Sequence, residues 1–377
     1  MQNTFDSFLD FLEKVYLKEY IKEGGSKIKF VTGKKGSGKS YFLKSLQTRA
    51  INNNYKVVHF SAKNVWLYDF KDIYLEILKQ TNLEEILNLC SNKIIINLNE
   101  DPSEIKDGLK FFDYLSSKGS LNALMRRAIY DELKSMFLDN PLLDNNFAIA
   151  CSLLTGSILG YPSLEDSNKE LLLGWLNGDP SVRPTSLRSL GLACSKISKV
   201  NARNMLRSLV RVICTAGFSG LLVCIDDLDI LLNKSGLEEI HYTKMRRDDT
   251  FESIRQLIDD IDTLPNTMFV FGFEQELLND DRNGLKSYQA LWMRIQNEIN
   301  TSRFNKFADI INLDDFVLQE YDAEDLVNLS KRIAINEANK ENRNSISYDE
   351  ANKLLEKARL SNNGIIELII KRLRGED

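Results

Sequence analysis

The segment Gly33-Lys34-Lys35-Gly36-Ser37-Gly38-Lys39-Ser40 decides the fold of this chain, because it fits the phosphate-binding P-loop pattern G-x-x-x-x-G-K-[ST]. Residues 28–32 read as a strand that enters the loop, and apolar residues at helical spacing follow in residues 41–51. A surface turn rich in glycine and lysine would leave this strand–loop–helix order unexplained. The order predicts that backbone N–H groups of the loop, with the positive end of the helix, bind a polyphosphate.

The residues of the loop have predicted roles that follow from their chemistry. Lys39 is expected to reach the β- and γ-phosphates of ATP, and the Ser40 hydroxyl is expected to be one ligand of Mg²⁺. ATP and Mg²⁺ are therefore the expected cofactors. The predicted nucleotide-binding residues are Gly33, Lys34, Lys35, Gly36, Ser37, Gly38, Lys39, Ser40 and Tyr41.

A second candidate element of the nucleotide site is the segment Leu221-Leu222-Val223-Cys224-Ile225-Asp226-Asp227-Leu228-Asp229. Its apolar run is typical of a strand buried on both faces of a parallel sheet, and it ends in carboxylates where ligands bind in open α/β sheets. This is the Walker B pattern, a weak signal alone that gains weight from the P-loop. Asp226 is expected to hold Mg²⁺, directly or through water. Asp227 is expected to orient or deprotonate the attacking water.

The spacing of the two elements predicts how the chain is organised. Lys39 and Asp226 are 187 residues apart, more than a minimal P-loop core needs, and the interval reads mainly as helices. Residues 94–98 fit either a strand or a buried helical turn. The predicted segments are 1–70, an N-terminal helix with the P-loop half of the core; 71–205, a helical insertion; 206–317, the second half of the core; and 318–377, a small helical lid. The expected fold is an α/β parallel sheet flanked by helices.

Composition narrows the class of protein. Hydrophobic residues make up 43% and charged residues 27% of the 377 residues, which is ordinary for a soluble globular protein. No apolar run approaches the length of a membrane span, and no signal peptide is visible, so a cytoplasmic protein without a membrane partner is expected. The five cysteines show no C-x-x-C pair, which favours reduced thiols over a zinc site. The net charge of −5 limits any DNA contact to a local basic patch or to another protein.

Three further features of the sequence each allow two interpretations. The amphipathic segment 1–24 could pack over an adenine ring or belong to the core. Glu274 and Gln275, at the tip of a predicted strand in residues 267–273, could sense the γ-phosphate or cap the next element. The third feature is a set of arginines at spacing four on one helix face, which could contact nucleic acid or a neighbouring subunit, although a solvated face is favoured: Arg203, Arg207 and Arg211.

With the P-loop and the Walker B segment identified, the chain resembles additional-strand P-loop ATPases of the AAA+ class. It resembles more closely the ATP-binding proteins of bacterial BREX-type phage-defence systems. Four passages carry the resemblance: residues 33–40; GWLNG at 174–178 with LRSLG at 187–191; AGFSGL at 216–221; and GLKSYQAL at 284–291, up to Arg294. The resemblance spans roughly residues 15–317, and the long insertion is a trait of the family.

The resemblance implies an ATPase that works with a helicase or another DNA-processing partner in defence against foreign DNA. It also implies a homo-oligomer, because ring-forming ATPases present an arginine to the neighbouring subunit just before their last core strand. Arg294 and Arg303 precede a predicted strand at residues 310–313 and are both candidates. An intrachain ion pair at the surface is the competing interpretation for either arginine.

Two departures from the family pattern favour slow turnover. Asp227 stands where the family usually has Glu, and Gly364-Ile365-Ile366-Glu367 stands where AAA+ lids usually carry a sensor arginine. The alternative function is therefore a slow or non-hydrolysing, nucleotide-gated assembly switch, STAND-like or similar to the KAP-type P-loop NTPases that the sequence IDDLD also resembles. A small-molecule kinase is a weaker hypothesis, because the long interval fits it poorly.

Overall fold

A parallel β-sheet of five strands forms the centre of the protein. The computed structural model describes residues 4–106, 108–232, 240–296, 304–337 and 345–376. The strands run β1 (Ser26–Gly33), β2 (Tyr55–Ser61), β3 (Gly220–Asp226), β4 (Thr267–Glu274) and β5 (Ile310–Asn312). The strands predicted at residues 28–32, 267–273 and 310–313 and the predicted strand before Asp226 are therefore confirmed. The α/β fold with a parallel sheet is consistent with a P-loop NTPase.

The order of the strands brings distant parts of the chain to one edge of the sheet. The spatial order is β2-β3-β4-β1-β5, so that β4 lies between the P-loop strand β1 and the strand β3 that ends in Asp226. In the register of the sheet, Ser61 lies opposite Asp226, and Gly33 lies opposite Glu274. Because all the strands are parallel, their carboxyl ends share one edge, and the predicted site residues leave the sheet there.

Helices cover both faces of the sheet. The α-helices of the described residues are α1 (Thr4–Leu12), α2 (Lys39–Asn52), α3 (Phe70–Thr81), α4 (Leu83–Asn97), α5 (Phe111–Ser117), α6 (Ala123–Leu133), α7 (Asn145–Leu159), α8 (Asp166–Leu176), α9 (Ala202–Thr215), α10 (Lys244–Asp259), α11 (Gln275–Asn279), α12 (Gln289–Ile295), α13 (Leu313–Glu320), α14 (Ala323–Glu337), α15 (Tyr348–Leu360) and α16 (Ile365–Arg374). A π-helical segment, Glu13–Ile21, continues α1. Residues 94–97 form the end of α4, so the segment that fitted either a strand or a helical turn is helical. None of the helices in the described ranges is long and apolar enough to cross a bilayer.

Two apolar clusters fill the space between the sheet and its helices. Phe30 and Phe271 belong to the first cluster, their ring centroids 5.3 Å apart, and this cluster joins one face of the sheet to α3–α12. Val31 and Val270 belong to the second, which joins the other face to α1, α2 and α13–α16. Neighbouring residues of one strand point to opposite faces, so the near-continuous apolar strands are explained by burial on both sides. The P-loop helix and the C-terminal helices therefore share one face of the sheet.

Candidate functional site

The P-loop connects the end of β1 to the start of α2. Gly36 and Gly38 adopt left-handed backbone angles, with φ of 72° and 97°, which glycine reaches without steric cost. Gly33 is required for a different reason, because a Cβ atom there would lie 2.3 Å from the Ser37 hydroxyl oxygen. The sequence thus folds into a tight loop that ends at the N-terminus of a helix beginning at Lys39. Such a helix start, with its unpaired N–H groups and positive dipole end, favours an anion.

Lys39 and Ser37 provide polar side chains within the loop. The Lys39 ammonium group donates hydrogen bonds to the backbone carbonyls of Gly33 and Lys34, both at 3.0 Å. The Ser37 hydroxyl is buried and has no hydrogen-bond partner within the described residues. Phosphate oxygens are stronger acceptors for an ammonium group than neutral carbonyls are. This donor set therefore fits a polyphosphate ligand.

Asp226 ends β3 at the same edge of the sheet as the P-loop, and β4 lies between β3 and the P-loop strand β1. Gly272 of β4 leaves the space between them open, since a Cβ atom there would lie 2.6 Å from Asp226 Oδ1 and 3.0 Å from Leu43 Cδ1. Leu43 follows Ser40 by one turn of α2, so the carboxylate lies near the helix start that carries the Ser40 hydroxyl. Burial raises the pKa of Asp226, and a hydrogen bond from the Asp227 N–H opposes that rise. A carboxylate and a hydroxyl are oxygen ligands of the kind that Mg²⁺ prefers.

Asp227 has an unusual backbone angle, and its carboxylate accepts hydrogen bonds from two side chains at the end of β2 and just after it. Its φ is 59°, a left-handed value that aspartate tolerates better than most residues. The Ser61 hydroxyl donates to Asp227 Oδ2 at 2.6 Å, and the Lys63 ammonium donates to Oδ1 at 2.9 Å. Burial raises the pKa of Asp227, but the hydrogen bonds from Lys63 and Ser61 outweigh it, so the pKa lies below its ordinary value. With both oxygens engaged, this carboxylate is a weak proton acceptor.

The N-terminus of α16 packs directly on the P-loop. The Gly364 N–H donates to the Lys35 carbonyl at 2.7 Å, and the Glu367 N–H donates to the Gly36 carbonyl at 3.1 Å. A Cβ atom at Gly364 would lie 2.4 Å from the backbone nitrogen of Ser37, so only glycine fits this approach. Two N–H groups that a helix start leaves without intrahelical partners are thus satisfied by P-loop carbonyls. The position of α16 consequently depends on the conformation of the P-loop.

Two carboxylates approach a loop that carries three lysines. Asp314, at the start of α13, is buried and accepts a hydrogen bond from the Lys34 N–H at 2.6 Å. Glu367 lies over Gly36, where an added Cβ atom would be 2.8 Å from Glu367 Oε2, and it pairs with Lys371 at 3.3 Å. Asp315, next to Asp314, also interacts with Lys34, so nearby carboxylates offset part of the positive charge of the three loop lysines.

The structure describes Arg294, one of the two candidate arginines, but not Arg303. Arg294 forms a bidentate ion pair with Asp259 of α10, with one nitrogen–oxygen distance of 3.0 Å, and its Nη1 also donates to the Ala290 carbonyl at 2.6 Å. Its side chain is 35% exposed, so the pair lies at the surface. This geometry matches the interpretation of an intrachain ion pair for Arg294. Arg303 lies outside the described residues, and a role of either arginine in a neighbouring subunit's site stays a prediction.

Glu274 and Gln275 lie beside the start of the P-loop. Glu274 ends β4 opposite Gly33, and its N–H donates to Asp229 Oδ1 at 3.0 Å. Gln275 begins α11. Their place at the sheet edge is compatible with contact to a phosphate and with capping of α11, so both interpretations stay open.

The N-terminal helix contributes to the core. Phe8 is fully buried and stacks on Phe42 of α2, with ring centroids 5.7 Å apart. Arg49 of α2 pairs with Asp10 and Glu13, which fixes the π-helical continuation of α1 against the P-loop helix. Phe8 is therefore a core residue, as one of the two interpretations of this helix expects. The interpretation that this helix also covers an adenine ring stays a prediction.

The three arginines of α9 lie on one face of the helix, as the spacing predicts, and all three are partly buried. Arg203 stacks over Phe70 at 4.7 Å and contacts Gln256 and Asp260. Arg207 and Arg211 have no ion-pair partner in the part of the chain that the structure describes. A fully solvated face does not describe these side chains, because the Nε atoms of all three are buried without an acceptor.

Several residues of the site carry no signal in the sequence. Ser61 and Lys63 are recognisable only once the register of β2 and β3 is known, since that register places Ser61 opposite Asp226. Asp314 reaches the P-loop from about 280 residues further along the chain, and no motif marks it. Gly364 begins the segment that replaces the usual sensor arginine, but the sequence does not predict its contact with the P-loop about 330 residues away.

A comparison with protein families gives one match over most of the chain. The sequence model of the family described as "BREX system ATP-binding protein BrxC/D" matches residues 16–370. The chain therefore belongs to this family, and the resemblance deduced from the sequence is confirmed. No curated protein matches the chain.

Proposed function

We propose that this BREX-family ATP-binding protein is a Mg²⁺-dependent, AAA+-like ATPase of phage defence. Family membership supports ATP binding and a place in a BREX system. The observation that carries the proposal is the position of Asp226 against Gly272, which brings the Walker B carboxylate beside the helix that begins at the P-loop. The extra strand β4 between β1 and β3 supports the AAA+-like assignment.

The side chains of the site would divide the chemistry between them. Lys39 would leave the Gly33 and Lys34 carbonyls for the phosphates of ATP. Ser40 and Asp226 would hold Mg²⁺, which neutralises phosphate charge when bound. Asp227 would orient or deprotonate the attacking water once its oxygens are released from Ser61 and Lys63.

The second candidate function, a slow nucleotide-gated switch, is favoured by the hydrogen bonds to Asp227. Lys63 and Ser61 occupy both oxygens of the carboxylate that would act as the base. Aspartate is also one methylene shorter than the glutamate usual in the family, so it reaches less far toward a water. Either effect slows hydrolysis while leaving ATP binding intact.

Assembly and partners follow from the same assignment. We propose a cytoplasmic homo-oligomer in which Arg303 or Arg294 completes a neighbouring subunit's site, with the C-terminal helices of residues 318–377 acting as a lid. For Arg294 this requires breaking its ion pair with Asp259. The ATPase would power or license a helicase or another DNA-processing partner. Sedimentation with and without ATP measures the oligomeric state. An oligomeric state that changes neither with ATP nor with substitution of Arg294 or Arg303 would contradict this assembly.

ATP turnover in four proteins tests the enzyme assignment. The wild type should hydrolyse ATP with Mg²⁺, whereas Lys39→Ala and Asp227→Asn should lose at least about a hundredfold in turnover. Lys63→Met should raise turnover above the wild type, because it frees Asp227 Oδ1 while keeping the length of the side chain. Equal rates in all four proteins would refute an ATPase. Tight ATP binding with no turnover in any of them would favour the switch instead.

A further inference from the structure

We propose that the arginine stripe of α9, defined as Arg203, Arg207 and Arg211, binds the phosphate backbone of double-stranded DNA. The stripe lies on the polar side of a strongly amphipathic helix whose other side, including Leu206, is buried against the core. The first apolar cluster contains that buried side, so α9 covers the face of the sheet opposite to α2 and α16. The surface is therefore separate from the nucleotide site.

The charges of the stripe are only partly neutralised within the chain. Arg203 contacts Asp260 at 3.6 Å and Gln256 at 3.0 Å, whereas Arg207 and Arg211 have no acidic partner within the described ranges. Lys93 adds a further positive charge at the C-terminal end of α9, where its ammonium group donates to the Thr215 carbonyl at 3.2 Å. On a chain with a net charge of −5, such a concentration of unpaired positive charge is a local exception.

The spacing of the stripe matches a regular polyanion. Residues four apart on an α-helix rise by about 6 Å, so the Cα atoms of Arg203 and Arg211 lie about 12 Å apart along the axis. One strand of a duplex presents a phosphate about every 3.4 Å along the axis, so this span faces three or four phosphates. A guanidinium group presents a planar fork of donors that fits phosphate oxygens, which a lysine cannot reproduce.

Two residues beside the stripe are exposed to solvent. Val200, just before α9, is 92% exposed, and Asn204 on the same side of the helix is also exposed. Arg203 is stacked on Phe70, and the Nε atoms of all three arginines are buried. Arginines that are already packed lose little freedom when they bind, so the stripe is largely ordered for a ligand.

Fluorescence anisotropy with a labelled duplex of mixed sequence, between about 50 and 200 mM salt, tests the proposal. Arg207→Gln/Arg211→Gln should weaken binding about tenfold or more and reduce the slope of log affinity against log salt by about 2. Glutamine keeps part of the packed aliphatic stem, and thermal melting checks that the variant is folded. The matched control, Arg126→Gln/Arg127→Gln, removes the same charge from α6, where both arginines have intrachain contacts, and should bind as the wild type does.

Three outcomes would overturn the proposal. They are a wild type that does not bind duplex at the lowest salt, equal salt slopes in the wild type and the stripe variant, and binding of poly-glutamate but not of duplex through Arg207 and Arg211. The last result would assign the stripe to an acidic protein. Because the readout is DNA binding, its failure is distinguishable from a failure of ATP turnover.

Discussion

Replacing Gly364 by alanine tests the contact between the start of α16 and the P-loop. The backbone of Gly364 has φ −72° and ψ 163°, which alanine adopts without strain, so the change acts through its methyl group alone. That methyl carbon would lie 2.4 Å from Ser37 N, 2.5 Å from Ser37 Cα and 2.6 Å from Gly36 C. All three atoms are backbone, so no side-chain rotation relieves the overlap.

The cost of Gly364→Ala is set by the cheaper of two responses. If α16 moves away, the hydrogen bonds to the Lys35 and Gly36 carbonyls are lost, at about 1 kcal/mol each. If α16 stays, the overlap costs about 1–3 kcal/mol. We therefore expect a loss of about 2 kcal/mol in the free energy of unfolding. The exposed neighbour Asn362 provides the control, and Asn362→Ala should change stability by less than about 0.5 kcal/mol.

Urea denaturation and hydrogen exchange measure the two consequences of Gly364→Ala. The first gives the free energy of unfolding, and the second follows the amides of Gly364 and Glu367, whose protection should fall. Unchanged stability together with unchanged protection of these amides would refute the contact between the P-loop and the start of α16.

The remaining predictions concern β4 and β1. Gly272→Ala places a methyl group 2.6 Å from Asp226 Oδ1, so it should abolish the Mg²⁺ dependence of ATP binding, and fluorescent-nucleotide titrations with unaltered Mg²⁺ dependence would contradict this. Burial lowers the pKa of Lys29 to about 7, whereas an unfolded lysine titrates near about 10.4. The unfolded state therefore binds more protons in this window, and the wild type should gain about 2 kcal/mol relative to Lys29→Met between about pH 7 and 9. Urea denaturation at several pH values measures this gain, and parallel pH profiles would argue against it.

The sequence alone predicts those parts of the site that are local in the chain. The P-loop and the apolar strand before Asp226 each lie within one short segment, so motif and periodicity identify them. The central strands β3 and β4 are predictable for the same reason, because runs buried on both faces are nearly continuous in apolar residues. The arrangement around Lys39 and Asp226 follows once the strands are taken as parallel.

The contacts that the sequence does not predict join residues far apart in the chain. Asp259 offers no sign that it pairs with Arg294, and nothing in Lys63 indicates that it binds Asp227. Gly364 is ordinary in a helix-start context, and only the approach of a second backbone makes it necessary. Side-chain partners of this kind depend on the register of the sheet and on how helices dock, which spacing along the chain does not encode.

Calorimetric titration of ATP into the protein, with and without Mg²⁺, most directly tests whether the P-loop and Asp226 form one site. The wild type should bind ATP more tightly when Mg²⁺ is present, Lys39→Ala should lose most of the heat, and Asp226→Asn should bind with the same affinity in both conditions. An Asp226→Asn protein that keeps the full Mg²⁺ enhancement, or a wild type that releases no heat with ATP, would contradict the account.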